Sequence, residues 1–134
     1  MTKPRLIIAD DSPHFLRKLV SMLAVEFDIV ATGADGKTAL DLIRRHKPDL
    51  VVLDLYMPGL NGIEVTRELV KNPPSTPVVI CSMESDPEII EAAREAGAVD
   101  YVLKARVETD LILAAKSAFG THFEQKLSLG VGQI

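Results

Sequence analysis

Short aliphatic runs alternate along this chain with stretches whose apolar residues fall at helical spacing. The runs cover residues 6–9, 28–31, 50–53, 77–81 and 100–103. Each is bounded by turn-forming or charged residues, the pattern of a strand buried on both faces. Between them lie Phe15, Leu16, Leu19, Val20 and Leu23, then Ala39, Leu40, Leu42 and Ile43, then Ile63, Val65, Leu69 and Val70. Ile89, Ile90, Ala93 and Ala96 form a fourth group, and Leu111, Ile112, Ala115 and Phe119 a fifth. Local punctuation agrees. Ser12-Pro13 reads as an N-cap followed by proline in the first helical turn, and Ser85-Asp86-Pro87-Glu88 as another helix start. Pro48 stops the second helix near His46, Gly97 the fourth and Gly120 the fifth. The stretch 72–75, Asn-Pro-Pro-Ser, is a loop by composition.

Strand then helix, five times over, predicts an α/β fold of three layers. It is a five-stranded parallel sheet covered by helices on both faces, because parallel neighbours need crossover helices. With right-handed crossovers every strand ends on the same edge of the sheet, where such folds bind ligands. The residues delivered there are Asp10 and Asp11, Thr32, Asp54, Ser82 and Lys104.

Composition narrows the class. A chain of 134 residues with 47% apolar residues is one domain with a sizeable aliphatic core. A net charge of -4 argues against nucleic-acid binding by charge. The single cysteine, Cys81, sits inside an aliphatic run, so it reads as a packing residue in a reducing compartment. The apolar run behind the N-terminus is too short for a signal peptide or a membrane span, and a cytoplasmic location is expected. His14, His46 and His122 have no partners at metal-binding spacing.

Convergent acids change the picture most. Carboxylates gathered at one edge repel one another unless a cation neutralises them, and oxygen-only donors with room for water suit Mg2+. A carboxylate such as Asp54 is a nucleophile toward phosphorus, while Lys104 and Ser82 offer a point charge and a hydroxyl to the same phosphoryl group. Each residue alone has an ordinary explanation: acids ahead of a helix N-terminus, an Asx turn, a capping serine, a solvated lysine. Their occurrence at successive strand ends argues for a site.

The motifs Asp10-Asp11-Ser12-Pro13, 34–40 (Ala-Asp-Gly-Lys-Thr-Ala-Leu), Pro48-Asp49 through Asp54, Met57-Pro58-Gly59 with Gly62, Ser82, Gly97-Ala98, Tyr101 and Lys104 resemble the CheY-like receiver domain of two-component response regulators. The resemblance covers residues 5 to about 119 and implies strand order 2-1-3-4-5, the flavodoxin-like arrangement. It implies that Asp54 accepts a phosphoryl group from a sensor histidine kinase. Asp11, Asp54 and the Tyr56 backbone carbonyl would hold Mg2+ directly, with Asp10 acting through water. Ser82 and Tyr101 would be the switch pair, and Lys104 would pair with the phosphoryl group. The surface of the fourth helix, fifth strand and fifth helix would meet an output domain, a downstream protein or a second copy. Transcription regulation is the implied output if the chain is part of a longer regulator.

Two positions depart from the common receiver pattern. Ala105 follows Lys104 where a proline is usual, and Met83 follows Ser82 where a small residue is usual. Both resemble receivers of the NarL/LuxR type. Residues 1–119 are taken as the receiver domain and 120–134 as a tail or truncated linker, too short for a DNA-binding module. The tail admits a short helix carrying His122, Phe123 and Leu127, or an exposed extension. Tyr56 and Met83, both bulky, are expected to border the Asp54 pocket and slow hydrolysis of an aspartyl phosphate. Two other readings compete. A haloacid-dehalogenase-type phosphohydrolase needs a second Asp two residues after the nucleophile, where this chain has Tyr56. An unphosphorylated pseudo-receiver commonly lacks an acid or the lysine, and all are present here.

Overall fold

The structure, a computed structural model, describes the backbone of residues 2–132 and the side chains of residues 2–121. The strands are β1 (Arg5–Ala9), β2 (Asp28–Gly33), β3 (Leu50–Leu53), β4 (Val78–Ser82) and β5 (Asp100–Leu103). The helices are α1 (Pro13–Leu23), α2 (Gly36–His46), α3 (Gly62–Val70), α4 (Pro87–Ala96) and α5 (Val107–Gly132), with a 3-10 turn over Lys104–Arg106 before α5. All strand pairs are parallel, in the order β2-β1-β3-β4-β5. This is the predicted three-layer α/β fold.

The core is split by the sheet. On one face Leu6, Ile8, Val52, Val79 and Cys81 pack against Leu19 and Leu23 of α1 and Leu111 and Ala115 of α5. On the other, Ile7, Val51, Leu53 and Ile80 pack against Ala39, Leu40 and Ile43 of α2, Val65 of α3 and Ala93 of α4. Alternate residues of β1 and β3 thus serve opposite faces, as the pleat requires. The helix starts are chemically fixed. Ser12 Oγ accepts from the Phe15 N–H, Asp35 caps α2, Asp86 caps α4, and Asn61 with Glu64 forms a reciprocal capping box on α3. Gly97, with φ +118°, closes α4.

Four expectations need correction. The second strand runs to Gly33 rather than stopping at residue 31, so Thr32 lies within it, and Ser82 is the last residue of β4 rather than the residue after it. The sheet's margins are not buried throughout: β2 is half-exposed along most of its length, because an edge strand has a neighbour on one side only. Gly120 does not end α5, which continues to Gly132. A glycine inside a helix costs about 1 kcal/mol relative to alanine, too little to break it without a proline or a left-handed cap. The side chains of His122, Phe123 and Leu127 lie outside the described residues. Among the described residues no helix is long and apolar enough to cross a membrane.

Candidate functional site

Strand register builds the site. Ala9 pairs with Leu53, so the next residue of each strand, Asp10 and Asp54, emerges beside the other. Two backbone bonds hold them there: Asp54 N donates to Ala9 O at 2.9 Å, and Asp10 N to Gly33 O at 3.0 Å. Ser82 pairs with Leu103, which places Lys104 one step beyond the serine on the same edge. Asp10 and Asp54 are 1% and 6% exposed, Ser82 is fully buried, and Asp11 faces solvent.

Lys104 ties the acids together. Its Nζ lies 2.9 Å from Asp10 Oδ2 and 3.1 Å from Asp54 Oδ2. Burial of the Asp54 carboxyl, helped by the charge of Asp10, pushes its pKa above the ordinary carboxylate range, with Lys104 pulling the other way. Burial alone would lower the pKa of Lys104, but its bonds to Asp10 and Asp54 carry it above the usual lysine value. The ammonium is therefore charged at neutral pH. A carboxylate oxygen from each of Asp10, Asp11 and Asp54 lies within 4.8 Å of the others. Asp10 Oδ2 is buried and, apart from its ion pair with Lys104, has no hydrogen-bond partner among the described residues. A buried lone pair beside two further carboxylates fits a hard divalent cation such as Mg2+.

The loop after β4 is knitted to its surroundings through Glu84. The Glu84 N–H donates to Ser82 Oγ at 3.1 Å, the Tyr101 hydroxyl donates to the Glu84 carbonyl at 2.7 Å, and the Tyr56 hydroxyl donates to Glu84 Oε1. Held by that carboxylate, the Tyr56 phenol is pushed up to about 12, while the Glu84 carboxyl is lowered by the same bond. Met83, paired with Tyr56 in the sequence reading, is 81% exposed, whereas Tyr56 at 54% leans on Glu84.

Asp10, Asp11, Asp54, Ser82 and Lys104 thus converge as their positions at strand ends predict; Thr32 lies within the neighbouring strand β2. Sequence reasoning missed Glu84 and Phe15. Glu84 carried no signal beyond lying two residues past Ser82. Phe15 falls on the apolar stripe of α1 and packs against the core, and the Lys104 ammonium sits 4.4 Å from the centre of its ring.

Residues 6–116 match the model of the response regulator receiver domain. The chain is 34% identical over 116 residues to the transcriptional regulatory protein DegU of Brevibacillus brevis, covering 85% of this chain and 49% of DegU. It spans about half the length of such curated relatives. Among solved structures, the signal receiver domain of the putative response regulator NarL from Mycobacterium tuberculosis superposes with a TM-score of 0.78 at 31% identity, covering 85% of this chain and 98% of that one. A LuxR-family two-component response regulator from Aurantimonas sp. SI85-9A1 gives 0.84 at 30% identity, covering 90% and 87%. With the sheet order, the acid pair on adjacent strands and the lysine that bridges it all accounted for, the chain belongs to the response regulator receiver domain family.

Proposed function

We propose that this chain is a phosphorylation-dependent switch in which Asp54 accepts a phosphoryl group from a sensor histidine kinase or a phosphotransfer protein. The observation that carries this reading is the Lys104 ammonium bridging Asp10 and Asp54 beside a fully buried Ser82 hydroxyl. An Asp54 carboxylate oxygen attacks the donor phosphorus, the new P–O bond forms, and the bond to the leaving group breaks. Asp10, Asp11, Asp54 and the Tyr56 carbonyl are the residues assigned to Mg2+. The cation supplies charge neutralisation for the phosphoryl oxygens when bound. Lys104 provides a second positive charge already in place, which lowers the reorganisation the step requires.

The readout follows from Glu84. When Ser82 Oγ turns toward the phosphoryl group it leaves the Glu84 N–H. The loop that Glu84 anchors also holds the Tyr101 hydroxyl, so the change is passed to β5 and the face formed by α4, β5 and α5. That face is assigned to an output domain, a downstream protein or a second copy of the chain. Regulation of transcription is the output suggested by relatives such as DegU.

The test is incubation with Mg2+ and acetyl phosphate, followed by intact mass. One added phosphoryl group that is absent in Asp54→Asn is expected. No adduct on the wild-type chain would point to an unphosphorylated interaction module, and steady turnover of varied phosphoesters to a phosphohydrolase.

A further inference from the structure

We propose that Phe15 is a positioning residue for Lys104, holding the ammonium where the phosphoryl oxygens arrive. The inference rests on the reading of Asp54 as phosphoacceptor. Lys104 Nζ contacts two carboxylates, Asp10 Oδ2 at 2.9 Å and Asp54 Oδ2 at 3.1 Å, and a third side is closed by the Phe15 ring with its centre 4.4 Å away. A cation over an aromatic face at this range is attracted by the ring quadrupole, most strongly where water is excluded. Lys104 is such a place, with its side chain 11% exposed.

The ring is itself held by the site. Asp10 Oδ1 accepts from the Ser12 N–H at 2.8 Å, and Ser12 Oγ accepts from the Phe15 N–H at 3.3 Å. Phe15 then faces Lys104, whose ammonium returns to the other oxygen of Asp10. The contacts close a loop in which one carboxylate fixes both the lysine and the backbone of the aromatic that covers it. A second cation, Lys18 Nζ, also lies over this ring but at 6.0 Å, the outer limit of such a contact, and is paired with Glu108 at 2.6 Å. An aliphatic side chain at position 15 fills similar space but offers no quadrupole. The ammonium would then share its third N–H with water and leave the acid pair more often.

The experiment compares Phe15→Leu with Phe15→Tyr, which keeps the ring face. In metal-free protein, the ε-methylene protons of Lys104, assigned by their loss in Lys104→Ala, should be shifted upfield by the ring in wild type and Phe15→Tyr but not in Phe15→Leu. With saturating Mg2+ and acetyl phosphate, Phe15→Leu should load Asp54 about three- to tenfold more slowly, and Phe15→Tyr within about twofold of wild type. In a Lys104→Ala background Phe15→Leu should cause no further loss, because the ring acts through the lysine. Unshifted Lys104 protons in wild type, absence of rescue by tyrosine, or an undiminished effect without Lys104 would each overturn the proposal. A wild-type chain that takes up no phosphoryl group fails differently: it sinks the reading of Asp54 and the role built on it, while the proton shifts still report the ring contact.

Discussion

Glu84 joins groups from three parts of the chain through its backbone N–H, its carbonyl and its carboxylate. Glu84 is half-buried and its bond from the Tyr56 hydroxyl is exposed, so that bond contributes little to stability, but it ties the phenol to the loop after β4. This separates Tyr56 from Met83. Removing the largely exposed Met83 side chain leaves the bridge intact, and Met83→Ala should change the rate of aspartyl-phosphate loss by less than about twofold. On the proposal that the tethered phenol shields Asp54 from attacking water, Tyr56→Ala or Glu84→Ala should speed that loss by about three- to tenfold, on the order of one ordinary net hydrogen bond. Decay of the phosphorylated species, followed by intact mass, decides between them; a Met83→Ala effect larger than that of Tyr56→Ala would restore the pairing suggested by the sequence. The residues bearing charge at strand ends were legible because topology alone brings them together. Glu84 and Phe15 were not, since their roles depend on loop conformation and on a ring orientation that no spacing encodes.

At the scale of elements, the loop from Leu55 to Asn61 has to pass between two helix starts with almost no clearance. A Cβ on Gly62 would lie 2.4 Å from the Asp54 carbonyl oxygen, and one on Gly36 1.8 Å from that of Leu60. The Gly62 N–H also donates to Leu55 O at 2.8 Å, and the Gly36 N–H to Pro58 O at 3.2 Å. Both obstructions are backbone atoms, which cannot swing aside as a side chain does. Gly62→Ala must therefore push the backbone of Asp54 itself, and the expected cost is about 2–4 kcal/mol in chemical denaturation, with loading of Asp54 impaired beyond the loss of folded protein. An alanine variant of wild-type stability and loading would show that the loop yields. The helix and strand sequence was readable because apolar spacing, caps and prolines agree at each element. The exposed length of β2 and the continuation of α5 past Gly120 were less readable, because edge position and a weak helix-breaking preference are settled by context rather than by local pattern.

For the molecule as a whole, the site crowds acids at the sheet edge, and we expect that crowding to cost stability in the absence of metal. Two buried carboxylates face one ammonium, leaving an excess negative charge in a place that water barely reaches. Burial first, and the charge of Asp10 second, hold the Asp54 carboxyl above its ordinary pKa. The sign follows: on acidification the folded chain takes up a proton at Asp54 before the unfolded chain does. The stabilisation linked to that proton is complete below the unfolded pKa and is lost as pH rises through the folded one. Asp54→Asn removes the excess charge and leaves Lys104 paired with Asp10. In metal-free buffer at neutral pH it should raise Tm by about 3–8 °C, or ~1–2 kcal/mol. That advantage should shrink as pH falls through the folded pKa of Asp54. Carboxyls lowered by their own partners, such as Glu68 beside Lys71 and Asp110 beside Arg106, lose stability in acid, but they do so equally in both proteins and cancel in the difference. Mg2+ should reverse the order of effects, stabilising the wild type by mass action and the asparagine variant less, because one carboxylate of the cluster is gone. Paired melting curves across pH, with and without Mg2+, check all three expectations. An asparagine variant less stable than wild type at neutral pH without metal would mean that the Asp54–Lys104 attraction outweighs the crowding of the acids.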